Sequence, residues 1–434
     1  MRTIVYALFG ALVWLQGVAM AAQLHKLDFN GTTVPVIFEK SDYLPIVSIQ
    51  LIFTNAGHLS NTKDGQADMS AKLLNEGTKK EGSVGFAQKL DDRAIELHAS
   101  VGRETFVIEM SALKSEYAYG MERLTDLLAD PNYTDEALAQ IKRQKIGWLM
   151  QKKSDFDYIA ATHLRAILFK GTPLARPYDG TLESIQAMTL DDLKGFIDTH
   201  LGKNNLIVVA GGALGLEELR AYLAPIIARL PQVETKAMPP VRATDANVTE
   251  TIEEADTQQA YIYFGAPFDY SYKAEDQYKA KIAEYVLGGA GFGSRLMEEL
   301  RVKRGLTYGA YSVLRRTRYA SYLSGYLQTK LASQDEAVRT VKAVVRDFVK
   351  NGMTQEELDA AKKFLVGSEP LRLETLSQRL HRAFDEYYYG RPLGFTKTQL
   401  THIQNATLEE INAFIKSHPE LADLSFAVVT KKKD

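Results

Sequence analysis

The chain repeats itself once, and that repeat limits the folds open to it. Thr134-Asp-Glu-Ala-Leu138, which follows Asp130-Pro-Asn-Tyr133, is echoed by Thr354-Gln-Glu-Glu-Leu358 after Asn351-Gly-Met353. Each is a hydroxyl followed by early acids, a pattern that starts a helix by satisfying its free N–H groups and opposing its dipole. Further on, Thr189-Leu-Asp-Asp-Leu-Lys-Gly-Phe196 is echoed by Thr407-Leu-Glu-Glu-Ile-Asn-Ala-Phe414, and both run into strands, Leu206-Ile-Val-Val209 and Phe426-Ala-Val-Val429. Near the start of each half an alternating strand (Ile46 to Phe53; Ala260 to Phe264) precedes a helix (Gln66 to Asn75; Asp276 to Leu287). The offset is about 215 to 220 residues, enough for each copy to be a whole domain. Three echoes in one order predict a duplicated α+β domain with hairpin-like strand pairs and packed helices. The predicted bounds are 22–230 and 248–434, joined by a linker at 231–247, which is Pro-rich between Pro231 and Pro240 and has no periodicity.

At 434 residues and 45% hydrophobic content the chain can bury a core in each half. A net charge of −2 leaves no excess of base for a nucleic-acid or anionic-membrane surface, and the short Lys431 to Lys433 run reads as a solvated tail. Arg2 precedes an apolar run from Ile4 to Leu15, followed by Ala19-Met-Ala21, the small-x-small pattern of an export signal cleaved after Ala21. That run is shorter than the roughly 20 residues needed to span a bilayer, so no membrane anchor is expected after cleavage. In a Gram-negative cell the mature chain would be a soluble periplasmic protein. With 0 Cys, disulfides, thiolate metal sites and a cysteine nucleophile are excluded.

One segment of the first half carries a frame whose chemistry has been exchanged: Gly65-Gln-Ala-Asp-Met-Ser-Ala-Lys-Leu-Leu-Asn-Glu-Gly-Thr78. Ala67, Ala71 and Leu74, and Met69 and Leu73, fall at helical spacing. Asp68 and Lys72 are then i,i+4 neighbours and are expected to pair, worth roughly 0.2 to 0.5 kcal/mol if exposed. By itself the segment is an amphipathic helix with a surface ion pair. It resembles, however, the G-x-A-H-x-x-E-H-x-x-x-x-G-T motif of the pitrilysin/insulinase family, whose inverted zinc motif sets two His one turn apart around a Glu base. Gly65, Ala67, Gly77 and Thr78 match that frame. The two His and the Glu are replaced by Asp68, Lys72 and Ala71, and a lysine ammonium offers a metal only protons.

The resemblance continues through Phe169-Lys-Gly-Thr-Pro-Leu-Ala-Arg-Pro-Tyr-Asp-Gly-Thr181 and Asn204-Asn-Leu-Ile-Val-Val-Ala-Gly211, and so covers nearly the whole mature chain. It implies two homologous domains of the mitochondrial-processing-peptidase-like fold, each a sheet with helices packed on one face. In active members a third ligand, a Glu, follows the second His by roughly 75 residues. Here that neighbourhood, Gln140-Ile-Lys-Arg-Gln-Lys-Ile-Gly-Trp-Leu-Met-Gln-Lys153, contains no acid. The 8 His are scattered, with no local pair to replace the lost ligands, so no metal is expected in this chain. His98, in Glu96-Leu-His-Ala-Ser-Val101, falls where the family has an edge strand that pairs with substrate backbone.

In the second half, the run from Leu287-Gly-Gly-Ala-Gly-Phe-Gly-Ser294 through Arg301 to Tyr308-Gly309 resembles the family region in which an Arg and a Tyr seven residues apart reach into a partner's zinc site. A guanidinium and a phenol are suitable donors for a substrate carbonyl and its developing oxyanion. The bland alternative is a helix-end Arg301 and a core Tyr308. Gly289, Gly291 and Gly293 do not make a phosphate loop, since no Gly-Lys-Ser/Thr follows. They resemble the glycine-rich loop implicated in substrate entry in non-catalytic subunits, or else form a plain connection between helices. The resemblance as a whole implies a non-catalytic subunit that binds peptide substrate and lends Arg301 and Tyr308 to a zinc-bearing partner. An inert scaffold or peptide-binding protein of the same fold is the alternative, and an enzyme of unrelated chemistry ranks last because no Gly-x-Ser-x-Gly elbow is present.

Overall fold

A computed structural model describes residues 21–431 apart from Thr235 and Ala255. The export segment expected over 1–21 lies outside the described residues but for Ala21. Among the described residues no helix is long and apolar enough to cross a membrane.

Two mixed sheets carry the chain. The first contains β1 (Gln23–Phe29), β2 (Thr32–Lys40), β3 (Ile46–Thr54), β4 (Glu96–Val101), β5 (Thr105–Leu113) and β6 (Leu206–Gly212), in the order β1-β2-β6-β3-β5-β4. The second contains β7 (Thr249–Glu254), β8 (Gln259–Pro267), β9 (Ala310–Arg316), β10 (Ser321–Lys330) and β11 (Ser425–Lys431), in the order β7-β11-β8-β10-β9. β6 runs parallel to β2 and antiparallel to β3, and β11 runs parallel to β7 and antiparallel to β8. Without β1, the first sheet is the second one repeated strand for strand.

The threonines of the repeated segments act as caps. Thr134, Thr189, Thr354 and Thr407 each accept a backbone N–H three residues on, and the last three are closed into capping boxes by Asp192, Glu357 and Glu410. In β3 the alternating residues Val47, Ile49, Leu51 and Phe53 are fully buried in the first core, beneath the helices of that half. β6 is buried along its whole length, because its second face is covered too.

That second cover comes from the other half. Leu376, Leu380 and Ala383 of the helix Leu376–Tyr388 pack on Ile37, Ile52, Ile207 and Val209 of the first sheet. Reciprocally, Leu164, Ile167 and Leu168 of the helix Phe156–Leu168 pack with Ala427 and Tyr322 of the second sheet. The close fit requires glycine beneath each helix: a Cβ on Gly265 would lie 2.7 Å from Leu168, and one on Gly211 would lie 3.1 Å from Leu380. Each half therefore completes its own core with helices on one face and lends one helix to its neighbour's other face. The stretch after Pro231 is pinned across this junction, with the Val241 N–H donating to Tyr319 O and the Thr244 N–H to Leu168 O.

Candidate functional site

The helix Gln66–Leu74 begins at Gly65, whose left-handed backbone (φ 83°) and approach to the Cα of Gly180 demand glycine. Ala67, Ala71 and Leu74 face the sheet, while Met69 and Leu73 pack against the helix Asp135–Lys152. Ala71, at the position of the family's general base, is simply core. Asp68 and Lys72 are left on a half-buried face.

Their expected ion pair does not form. Asp68 turns to the neighbouring helix, where its Oδ2 lies 3.0 Å from Lys145 Nζ, and Lys72 has no ion pair among the described residues. The local spacing rule loses to burial. Lys145 is only 4% exposed, and a buried ammonium needs carboxylates far more than a half-exposed Lys72 does.

Around Lys145 a polar cluster is built. Its Nζ donates to Asp179 Oδ1 at 3.1 Å and sits 4.2 Å from the centre of the Trp148 ring. Asp179 Oδ2 accepts from the Tyr158 hydroxyl at 3.2 Å. The contact to Asp68 is electrostatic rather than an aligned hydrogen bond, leaving Asp68 Oδ2 without a directed donor. His58 stacks on Tyr178 at 5.4 Å, and its Nδ1 is buried without a partner. Burial holds the His58 pKa below its ordinary value, against the upward pull of Asp68 and Asp179. The helix that in active relatives would present a third metal ligand thus presents a cation. Two acids already bound to an ammonium, a core alanine and a second lysine do not fit zinc, and no group of three potential metal ligands occurs among the described residues.

Sequence reasoning did not find His58, Lys145 or Asp179. Lys145 and Asp179 lay in segments singled out for other reasons, and the signal was the lysine inside the acid-free stretch expected to face the lost site.

The second half treats the equivalent region differently. The helix Gln277–Glu284 runs on into a π turn, Tyr285–Gly289, then a tight turn over Gly291–Gly293, a short helical segment and a second π turn, Glu298–Val302. Gly288, not one of the three glycines singled out, is the one that packing requires: a Cβ there would lie 2.5 Å from the Ser312 backbone N. A Cβ on Gly289 would lie 3.0 Å from Glu284 O and one on Gly293 would make ordinary contact 3.6 Å from Ala290 Cβ, while Gly291, at φ 59°, faces open space. The guanidinium of Arg301 stacks 4.3 Å from the ring of Phe292, which is itself 65% exposed, and has no carboxylate partner among the described residues. Its neighbour Arg295 is the structural arginine, bound by Glu357 at 2.6 and 2.8 Å and by Gly352 O. Tyr308 is 88% exposed just before β9, so it is not a core tyrosine. A cavity of about 860 Å³ opens beside Phe292 and Gly293.

Phe292 thus joins Arg301 to the glycine segment. No hydrogen bond, ion pair or ring contact among the described residues ties Arg301 or Tyr308 to the Lys145 cluster or to His98, which lies exposed on β4, the edge of the first sheet.

Residues 36–182 match the family described as insulinase (peptidase family M16), and residues 187–365 match the peptidase M16 inactive domain. The chain is 44% identical over 433 residues to the non-peptidase homolog YmxG of Helicobacter pylori, covering 100% of this chain and 99% of that protein. The fold is similar to a peptidase M16 inactive domain from Pseudomonas fluorescens, with a TM-score of 0.85 at 24% identity over 95% of this chain and 98% of the other. It is also similar to the periplasmic protease PqqL from Escherichia coli, with a TM-score of 0.75 at 14% identity over 100% of this chain and 49% of the other.

Proposed function

The chain belongs to the insulinase (M16) peptidase family, and from that premise we propose that it is the non-catalytic subunit of a heteromeric zinc peptidase. A partner chain bears the zinc motif. This chain closes the proteolytic chamber, takes part in binding an extended peptide on the β4 edge around His98 and past the segment of Gly289, Gly291 and Gly293, and extends Arg301 and Tyr308 to the partner's reacting carbonyl. The export segment expected over 1–21 and the likeness to a periplasmic protease support a periplasmic location.

The observation that carries this reading is the state of Arg301 and Tyr308. A guanidinium with no carboxylate partner among the described residues and a phenol at 88% exposure contribute little to this chain's own stability, yet both are suited to an oxyanion formed in another molecule. The match of the whole chain to about half of a longer protease supports an arrangement of two such units.

The test is co-purification with a zinc-motif relative. Zinc content and peptide cleavage are recorded for the lone chain, the lone partner and the mixture. The expected result is stoichiometric zinc in the partner only, cleavage in the mixture, and slower turnover when the mixture carries Arg301→Ala. Zinc and cleavage in the lone chain would overturn the reading. A chain that captures peptides yet never alters the partner's rate would be the inert peptide-binding protein instead.

A further inference from the structure

Between the halves, beside the Lys145 cluster, lies a cleft of about 430 Å³ walled by the helix Phe156–Leu168 and floored by β8, β9 and β10. That size suits a small ligand or the end of a peptide. Arg103, Arg165 and Arg315 line it, and no Asp or Glu does.

Two of these arginines sit deep and lack counter-charges. Arg103, in the turn between β4 and β5, has its Nη1 held by the hydroxyls of Tyr319 at 2.6 Å and Tyr322 at 3.1 Å. Arg165 lies 4.2 Å from the Tyr178 ring centre; its Nε is buried without an acceptor, and no hydrogen bond to its guanidinium is made by any described residue. The nearest acid to act on Arg165 is Asp179, which Lys145 and Tyr158 already occupy. Burial and the neighbouring Arg103 both disfavour the charge on Arg165. A partly buried guanidinium kept beside a second one, with no carboxylate partner among the described residues, costs folding stability, and the face of the Tyr178 ring is the contact that offsets part of it.

The floor beside them is aromatic. Tyr263, Tyr326 and Tyr311 are cross-strand neighbours on β8, β10 and β9, stacked at 5.6 and 5.5 Å. Tyr311 and Tyr326 are partly exposed, and among the described residues neither hydroxyl is hydrogen-bonded. Such a floor accepts apolar side chains while the hydroxyls of Tyr311 and Tyr326 remain free for a backbone, that of Tyr263 being donated to Asp157 Oδ1 at 3.2 Å.

We infer that this cleft binds the C-terminal end of a peptide, with Arg165 taking the terminal carboxylate in a bidentate pair and the tyrosine floor receiving the last apolar side chains. The planar fork of Arg165, the half-buried one without an acceptor, matches one monoanionic carboxylate, while Arg103, steadied by its two tyrosines, and the exposed Arg315 add to the positive field. The inference rests on the peptide-binding part of the proposed function and adds an anchoring site that neither Arg301 nor Tyr308 lines.

The test is fluorescence anisotropy of the full-length chain with a labelled short peptide ending in Phe-Leu, as the free acid and as the C-terminal amide. The acid is expected to bind about tenfold tighter or more. In Arg165→Gln that preference should vanish while the thermal midpoint changes little, because the lost contact with the Tyr178 ring is offset by relief of the repulsion from Arg103. Equal affinity for acid and amide, or a preference that survives Arg165→Gln, would overturn the inference. N-acetyl-phenylalanine binding as tightly as the peptide would also overturn it, assigning the cleft to small organic acids. Arg301-dependent cleavage is measured in parallel. If cleavage persists without the acid preference, the cleft inference fails alone; if the preference persists without cleavage, the subunit reading fails alone.

Discussion

The helix Gln66–Leu74 and its counterpart, which starts at Gln277 and runs to Val302, leave the same kind of strand and pack on the same kind of sheet, yet their polar residues have opposite fates. In the first half Asp68 is consumed by Lys145, Ala71 is core, and the acid beside them, Asp179, is shared between an ammonium and a phenol. In the second half the helix breaks into π turns, Arg301 has no carboxylate partner among the described residues, and Tyr308 is exposed. The difference separates two ways of losing a catalytic site. One half has replaced metal chemistry with internal charge balance, which serves only the fold. The other leaves Arg301 and Tyr308 to solvent, where the proposed partner would engage them.

Arg301 is where the comparison is most easily broken. Removing one preorganised donor to an oxyanion costs about 100- to 1000-fold in turnover. Arg301→Ala should therefore slow the assembled enzyme by about that factor and leave the melting temperature of this chain unchanged, since the side chain rests only on Phe292. Steady-state kinetics and a thermal melt on the same preparation check both parts. An unaltered rate would put the second half on the same footing as the first.

Lys145 is the reverse case, with an effect on stability and none on the partner's chemistry except through folding. Lys145→Ala leaves Asp68 and Asp179 facing each other and strips the cover from Trp148. Breaking a fully buried pair costs about 3 to 5 kcal/mol; with both acids part-exposed the expected loss is about 2 to 3 kcal/mol, read by urea unfolding. A neutral substitution would mean that the cluster is not what closes the emptied site. Tyr308→Phe is smaller again. It should lower turnover of the mixture by about tenfold, the value of one neutral donor, and leave urea unfolding untouched.

Much of this was legible in the sequence, and the parts that were not share a cause. The caps at Thr134, Thr189, Thr354 and Thr407 could be read because a cap is a contact over three residues. The central strands β6 and β11 stood out as apolar runs. The exchange of the helices Phe156–Leu168 and Leu376–Tyr388 was invisible, because an amphipathic stripe does not say whose sheet it covers. The i,i+4 rule misplaced Asp68 for the same reason: its partner is 77 positions away in sequence and only 3.0 Å away in space. His58 was set aside as one of several isolated histidines, and nothing local marks it as the residue stacked on Tyr178 beside two acids. The exposure of Tyr308 needed the structure too, since 22 Tyr offered every chance of a core residue.

His58 supplies the smallest of the expected effects and the one most specific to the first half. Burial holds its pKa in the folded chain below the ordinary value of 6.5, even though Asp68 and Asp179 pull the other way. The unfolded chain therefore binds a proton more readily than the folded one, so the stabilisation is full above about pH 6.5 and is lost as pH falls through the folded value. His200, whose pKa burial also lowers, adds to the same slope from outside the cluster. Urea midpoints measured from pH 7.5 down to about pH 5 should fall, and His58→Phe, which keeps the stack on Tyr178, should make that fall shallower without removing it. In the same series Lys145→Met should change the His58 contribution, because with the ammonium gone only burial and Arg103 oppose the two acids, so the folded pKa of His58 rises toward its ordinary value and the acid sensitivity it causes weakens. An acid limb identical in all three proteins would show that His58 is not coupled to the cluster, and that the charge balance of the first half ends at Lys145, Asp68 and Asp179.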